Sequence, residues 1–296
     1  MPGRSSYRPP ELNRDHARPR TAPAPASPAV EARLADLVTP AAFALGDEYR
    51  RRGLRSRGLA LPVMVGVVLA MVWRQVPSVH DLARLLAREE RLWVPRTTVS
   101  QQALAQRLRC LPAALFGRIF AELLPTLAAR AAARRRPRPP VVDRALMHFG
   151  AVWAVDGTTL EALFKKVGSL RGAEGTVLGG KLEAVLDLAT TLPVHLWLDD
   201  DPAANDKRFL DRIEAALVPR TLLVMDRGFT SYPFFDRLTA HGHGFITRAR
   251  AGAAMTVERG LLETPTARDR VVRLGPYRSN PCAHPVRLVE VHVHGT

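Results

Sequence analysis

The chain has 296 residues, 47% of them apolar, which is enough for one large domain or two ordinary ones and too apolar for wholesale disorder. Lys and Arg outnumber Asp and Glu by 43 to 28, giving a formal charge of +15. Residues 1–150 hold 25 Arg and no Lys against 11 acids, while 151–296 are nearly balanced; arginine-rich codon usage does not explain so lopsided a field, and a polyanion is the expected partner, nucleic acid first.

Residues 1–30 are rich in Pro, Ala, Arg and Ser without period and predict a disordered basic arm. They have no apolar stretch of the kind a secretory signal needs. Residues 31–133 read as a helical domain. Its most apolar run, Leu59–Trp73, contains Pro62 and Gly66 and is shorter than the roughly 18–20 residues of a membrane span, so it predicts a buried helix. Apolar spacing at Leu82, Leu85, Leu86 and at Leu104, Leu108, Leu111 predicts two further helices, with Ser78 capping the first and Thr97, Thr98 or Ser100 the second. A turn, ERLWVPRTT, lies between them. Helix, turn and a second helix carrying Gln101, Gln102, Gln106, Arg107 and Arg109 give the outline of a helix-turn-helix, although a plain helical bundle has the same spacing. Positive charge favours duplex DNA as its ligand, with Arg96, Gln101, Gln102, Gln106, Arg107, Arg134, Arg135 and Arg136 as the contact residues.

Residues 134–143 open with RRRPRPP and form the expected linker. Beyond it the period shortens. Val152–Asp156, Leu182–Leu188, Val194–Leu198 and Leu222–Asp226 are apolar runs of strand length, with helices expected over Asn205–Leu217 and Ser231–His241. No crossover helix fits between the first three strands, so they should be antiparallel; the fourth follows a helix and can lie parallel. That predicts a mixed α/β sheet over 144–250, followed by a β-rich segment over 251–296.

Asp156 and Asp226 each end an apolar strand and precede Gly157 and Arg227-Gly228, which places both carboxylates in the crevice where open α/β sheets bind ligands. Turn chemistry alone explains either Asp-Gly; both together favour a shared site for Mg²⁺ or Mn²⁺ acting on a phosphodiester. Other patterns are weaker. Gly175–Lys181 has the spacing of a phosphate loop, but Leu182 stands where Ser or Thr is needed. Asp199-Asp200-Asp201 reads as a solvated loop, and His241/His243 and His292/His294 have no third ligand nearby. Cys110 and Cys282 lie far apart, with neither disulfide-framework nor metal-ligand spacing, and point to a reducing cytoplasm.

The string LLVMDRGFTSYPFFDRLTAHGHGFITRAR (222–250) resembles the second-aspartate block of bacterial transposases of the insertion-sequence-four type, and VWAVDGTTL (152–160) resembles their first. KLEAVLDLATTLPVHLWLDDDPAAND (181–206) is similar to the strand pair between those blocks, and the helical segment to the DNA-binding domain that precedes them. The resemblance implies a ribonuclease-H-like core in which Asp156 and Asp226 hold two Mg²⁺ or Mn²⁺ ions together with a Glu. The ions activate water to nick transposon ends and then the freed 3′-hydroxyl for strand transfer. It also implies double-stranded DNA as partner, homodimers, and a nucleoid-associated, cytoplasmic location. The family's Glu lies in a Tyr-x-x-Arg-x-x-x-Glu pattern that no Tyr of this chain begins, and Glu258, Glu263 and Glu290 lack its context. On the resemblance, then, the chain is expected to be a truncated, catalytically incomplete copy that does not cleave as it stands. The rival expectations are a DNA-binding remnant and a helix-turn-helix regulator whose α/β half binds a small ligand; two metal-facing carboxylates argue against the regulator.

Overall fold

A computed structural model describes residues 27–54, 58–74, 76, 78–134, 137–159, 180–199, 201 and 203–291. These fall into two compact units, one ending at Ile119 and the other running from Phe120 onward.

The first unit is helical: α1 (Pro28–Ala44), α2 (Gly46–Arg51), α3 (Leu61–Trp73), α4 (Val79–Arg88), α5 (Gln101–Cys110) and the start of α6 (Ala113–Ala133). As its composition requires, α3 is the buried one, with Leu61, Met64, Val65, Val67 and Ala70 inside. Gly66 is what lets the next chain segment approach it, because a β-carbon there would fall within 3.0 Å of the Val94 side chain. Trp93 completes that contact by donating its indole N–H to Pro62 O at 2.9 Å. Ser78 caps α4 by accepting from Asp81 N at 3.0 Å, and Ser100 caps α5 by accepting from Ala103 N at 3.1 Å. Of the three caps considered for α5, the last is therefore the one used. The connection from Glu89 to Ser100 is not the three- or four-residue turn of a tight helix-turn-helix. It is a longer excursion, closed by the Arg91–Val94 bridge and tied back by Thr97 N donating to Leu86 O at 2.9 Å. No single helix among the described residues is long and apolar enough to cross a membrane.

The second unit continues through α6 and α7 (Pro140–Leu146) into a five-stranded sheet. Its strands are β1 (Ala151–Thr159), β2 (Lys181–Asp187), β3 (Leu192–Asp199), β4 (Thr221–Met225) and β5 (Gly244–Ile246), in the order β3-β2-β1-β4-β5. The first three are antiparallel neighbours, and β4 lies parallel to β1, as the lengths of the intervening segments require. A short 3₁₀ turn at Asp206–Phe209 leads into α8 (Leu210–Ala216), and α9 (Tyr232–Ala240) follows β4. The core lies on one sheet face, where Trp153, Val155, Val185, Leu223 and Met225 meet Phe209, Ile213, Phe234, Phe235 and Leu238. The β-rich segment forms a separate antiparallel sheet, β6 (Met255–Glu263), β7 (Ala267–Leu274) and β8 (Val286–Val291).

Candidate active site

Parallel pairing of β1 with β4 runs in register to Val155 opposite Met225, so Asp156 and Asp226 are the next residues on two adjacent strands. Both are exposed at the carboxyl ends of the buried runs. Each carboxylate is steadied by its own turn. Asp156 Oδ1 accepts from Gly157 N at 3.0 Å, and Asp226 Oδ1 accepts from Gly228 N at 2.7 Å. The Asp226 carbonyl also accepts from the Thr247 hydroxyl at 3.0 Å, which fixes the end of β4 from the far side. Strand alternation puts Val155 and Gly157 on the core face and Asp156 on the other.

Three charged groups that sequence reasoning missed gather at the two glycines. A β-carbon on Gly157 would stand 2.7 Å from Glu183 Oε2, 2.9 Å from Lys181 Cε and 3.1 Å from Asp206 Oδ1. One on Gly228 would stand within 3.0 Å of both Asp206 Oδ2 and Asp226 Oδ1. Asp206 therefore lies between Gly157 and Gly228, one oxygen toward each. Lys181 pairs with Asp206 Oδ1 and also donates to Ala204 O at 3.2 Å. Glu183 stands opposite Gly157 of β1, has no exposed surface, and among the described residues neither of its oxygens finds a hydrogen-bond partner. Burial pushes the Glu183 carboxyl up to about 8, helped by the charges of Asp206, Asp156 and Asp226 and opposed by Lys181. The sequence carried no signal for it: in KLEAVLD, Glu183 shares its face with Lys181, Val185 and Asp187, while Leu182, Ala184 and Leu186 fill the other, and only the fold turns the first face inward.

An all-carboxylate donor set suits a hard cation such as Mg²⁺ or Mn²⁺, and the orphaned buried Glu183 shows a site short of positive charge. The residues present therefore fit such an ion by their chemistry. Among the described residues, however, no three Asp, Glu, His or Cys groups already converge as a metal-holding group, and the cation that Asp206 meets is Lys181.

The other residues singled out from sequence are placed as follows. Arg96, Gln101, Gln102, Gln106 and Arg134 are exposed. Arg107 is half-buried, donating to Tyr49 OH at 3.0 Å, and so has an internal partner. Arg135 and Arg136 lie outside the described residues, as do Asp200, most of the 175–181 loop and the His292/His294 pair. Asp201 is paired with Arg208 at 3.0 Å, which accounts for it as a loop ion pair. His243 Nδ1 accepts from Thr221 N at 3.2 Å and His241 lies 3.4 Å from Glu214, so these imidazoles have partners other than a metal. Glu258, Glu263 and Glu290 belong to the three-stranded sheet and pair with Arg273, Arg268 and Arg270.

No curated protein matches the chain. Residues 148–285 match the family model of the transposase DDE domain, and the mixed five-stranded sheet with its helices is consistent with the ribonuclease-H-like form of that domain. The segment that carries Asp156, Asp226, both glycines and the Lys181–Glu183–Asp206 group is thus similar to a transposase DDE domain.

Proposed function

We propose that this chain is a transposase of the insertion-sequence-four type, which binds duplex DNA through its basic helical half and acts on phosphodiesters at Asp156 and Asp226. The observation that carries this reading is the pair of aspartates that follow the last parallel pair of β1 and β4, Val155 with Met225, inside the segment similar to a DDE domain. In such a centre Mg²⁺ or Mn²⁺ supplies Lewis-acid activation of oxygen at the phosphodiester. The contribution of the protein is to hold two carboxylates ready: the amides of Gly157 and Gly228 fix their orientation, and the parallel register sets them side by side. Arg96, Gln101, Gln102, Gln106 and Arg134 are exposed on the basic half and are proposed DNA contacts, and the sequence-based expectation of Arg107, Arg135 and Arg136 as further contacts is kept.

The test separates the two halves of the reading. The full chain should bind duplex DNA with an affinity that falls steeply with salt, each neutralised phosphate adding about 0.9 to the log–log slope. It should also take up Mn²⁺, and Asp156→Asn or Asp226→Asn should lose that uptake while DNA affinity stays within about twofold, since neither substitution touches the basic half. Mn²⁺ uptake indifferent to both substitutions would overturn the assignment of the centre.

A further inference from the structure

The charges beside the two strand-end aspartates are unbalanced. Asp206 Oδ2 and Asp226 Oδ1 both crowd the same point beside Gly228, and Asp206 Oδ1 and Glu183 Oε2 both crowd the same point beside Gly157. The three carboxylates thus form a chain, Asp226 to Asp206 to Glu183, with Asp206 in the middle. Lys181 is the cation that meets this chain, and it meets it at Asp206. Glu183, wholly buried with both oxygens unpartnered, points its Oε2 into the same space. A buried carboxyl without a partner is costly, and a fold that needed only a filled interior would place an apolar side chain there, as it does at Val185 on the same strand. Both glycines are required by the same crowding: any β-carbon at 157 or 228 would occupy the space that the carboxylates share.

From this we infer that Asp206 is a further carboxylate of the cation-binding centre, adjoining Asp226, and that Lys181 is a built-in competitor whose ammonium stands in for the divalent ion until it arrives. This inference rests on the transposase reading of Asp156 and Asp226. Mg²⁺ or Mn²⁺ and the lysine ammonium are alternative counter-ions for the same carboxylate. When the divalent ion binds, Lys181 Nζ gives up Asp206 and keeps its bond to Ala204 O. Glu183 closes the buried side of the site behind the exchange, and its oxygens, unpartnered among the described residues, favour a state in which a cation is present.

The test is Mn²⁺ binding to the full chain, followed by the electron paramagnetic resonance signal of the free aqua ion, which requires no DNA and no turnover. Asp206→Asn should weaken binding at least tenfold. Lys181→Met should tighten it severalfold, because the competitor is gone; an ordinary structural ion pair would instead leave affinity unchanged or lower it. Should Lys181→Met fail to fold, Lys181→Gln keeps a donor for Ala204 O and takes its place. Asp156→Asn and Asp226→Asn are measured alongside. If these two abolish binding while Asp206→Asn binds like the wild type, or if loss of Lys181 weakens binding, the role of Asp206 and Lys181 is overturned and the transposase reading stands. If all four substitutions leave binding unchanged, the reading of the centre falls, and the inference with it.

Discussion

Asp236 and Glu183 are both acidic side chains turned inward within the sheet-bearing unit, and their surroundings hold them in opposite ways. Asp236, on α9, accepts from the amides of Ala283 and His284, each at 2.9 Å, and from the Cys282 thiol at 3.4 Å, with His284 Nδ1 at 3.0 Å. Burial works to raise its pKa, but the two amides, the imidazole and the thiol outweigh that and hold it at about 2. The same environment acts in reverse on Cys282, whose thiol burial and the neighbouring carboxylate push up to about 11. Glu183 has burial without donors, and its carboxyl sits at about 8. A carboxylate whose lone pairs are all answered by the chain is a structural clip, here tying the 282–284 loop to α9. One whose lone pairs are left open among the described residues, beside two other carboxylates, is free to meet a cation.

The largest expected effect is at the clip. Asp236→Ala would strand two amide donors and free the loop, lowering stability by about 2–4 kcal/mol in urea unfolding. The pH dependence follows from the depressed pKa. The contribution of Asp236 is fully present above its unfolded value of 3.8 and is lost as pH falls through about 2. Between those limits the wild type should lose about 2 kcal/mol that Asp236→Ala does not, whereas parallel curves for the two proteins would show that the four partners are not formed in solution.

Gly228→Ala comes next. Its backbone is not in the left-handed region, so the added methyl is tolerated by the chain and resisted only by the Asp206 and Asp226 oxygens. Overpacking of this kind costs about 1–3 kcal/mol. Because the methyl fills the space that the carboxylates share, the rise in Tm produced by Mn²⁺ should disappear as well. A Gly228→Ala protein that is destabilised but still gains the full Mn²⁺ increment would separate the glycine from the centre. Asp236→Ala, by contrast, should keep that increment.

Much of this was legible in sequence, and what was not has a physical reason. The apolar runs of strand length and the lengths between them predict three antiparallel strands and allow a parallel fourth, which is how β1 pairs with β2 and with β4. They also place Asp156 and Asp226 where the apolar runs close, which is visible in one dimension; Asp226 directly follows β4, whereas β1 runs on past Asp156 to Thr159 through its pairing with β2. The turn residues of ERLWVPRTT are visible in local composition; the long-range contacts that pack the 89–100 connection, Gly66 with Val94 and Trp93 with Pro62, are not. Lys181, Glu183 and Asp206 were missed as a group for the same reason. Asp206 follows β3 and an acidic loop, and only the fold brings it between residues 157 and 228. Glu183 stands in KLEAVLD on the more polar parity, with Lys181, Val185 and Asp187, so alternation alone turns it outward until the core face is known.

Glu183→Gln should act with the opposite sign to Asp236→Ala. The amide is isosteric and never ionises, so it removes the cost of holding protonated, at about 8 in the fold, a carboxyl that is ionised at neutral pH in the unfolded chain, while losing no bond within the described chain. Without metal, at neutral pH, stability should be unchanged or higher by up to about 2 kcal/mol. With Mn²⁺ the gain should shrink, because the wild-type carboxylate then has a cation nearby. Equal changes in Tm with and without Mn²⁺ would make Glu183 an ordinary buried acid.

The smallest effect supplies the baseline that both buried acids must exceed. Glu263 pairs with Arg268 at 3.2 Å across the β6–β7 ladder, with 77% and 48% of the two side chains exposed. Water answers the lone pairs of Glu263 whether or not the arginine is there, and the Coulomb attraction is screened at that exposure. Glu263→Gln should therefore shift stability by less than about 0.5 kcal/mol, and raising the salt concentration should erase the shift. The three carboxyl-to-neutral changes would then rank by what surrounds each group: destabilising at Asp236, near zero at Glu263, and neutral to stabilising at Glu183. A loss at Glu263 comparable to that at Asp236 would mean that charge alone, rather than the answered or open lone pairs, sets the order.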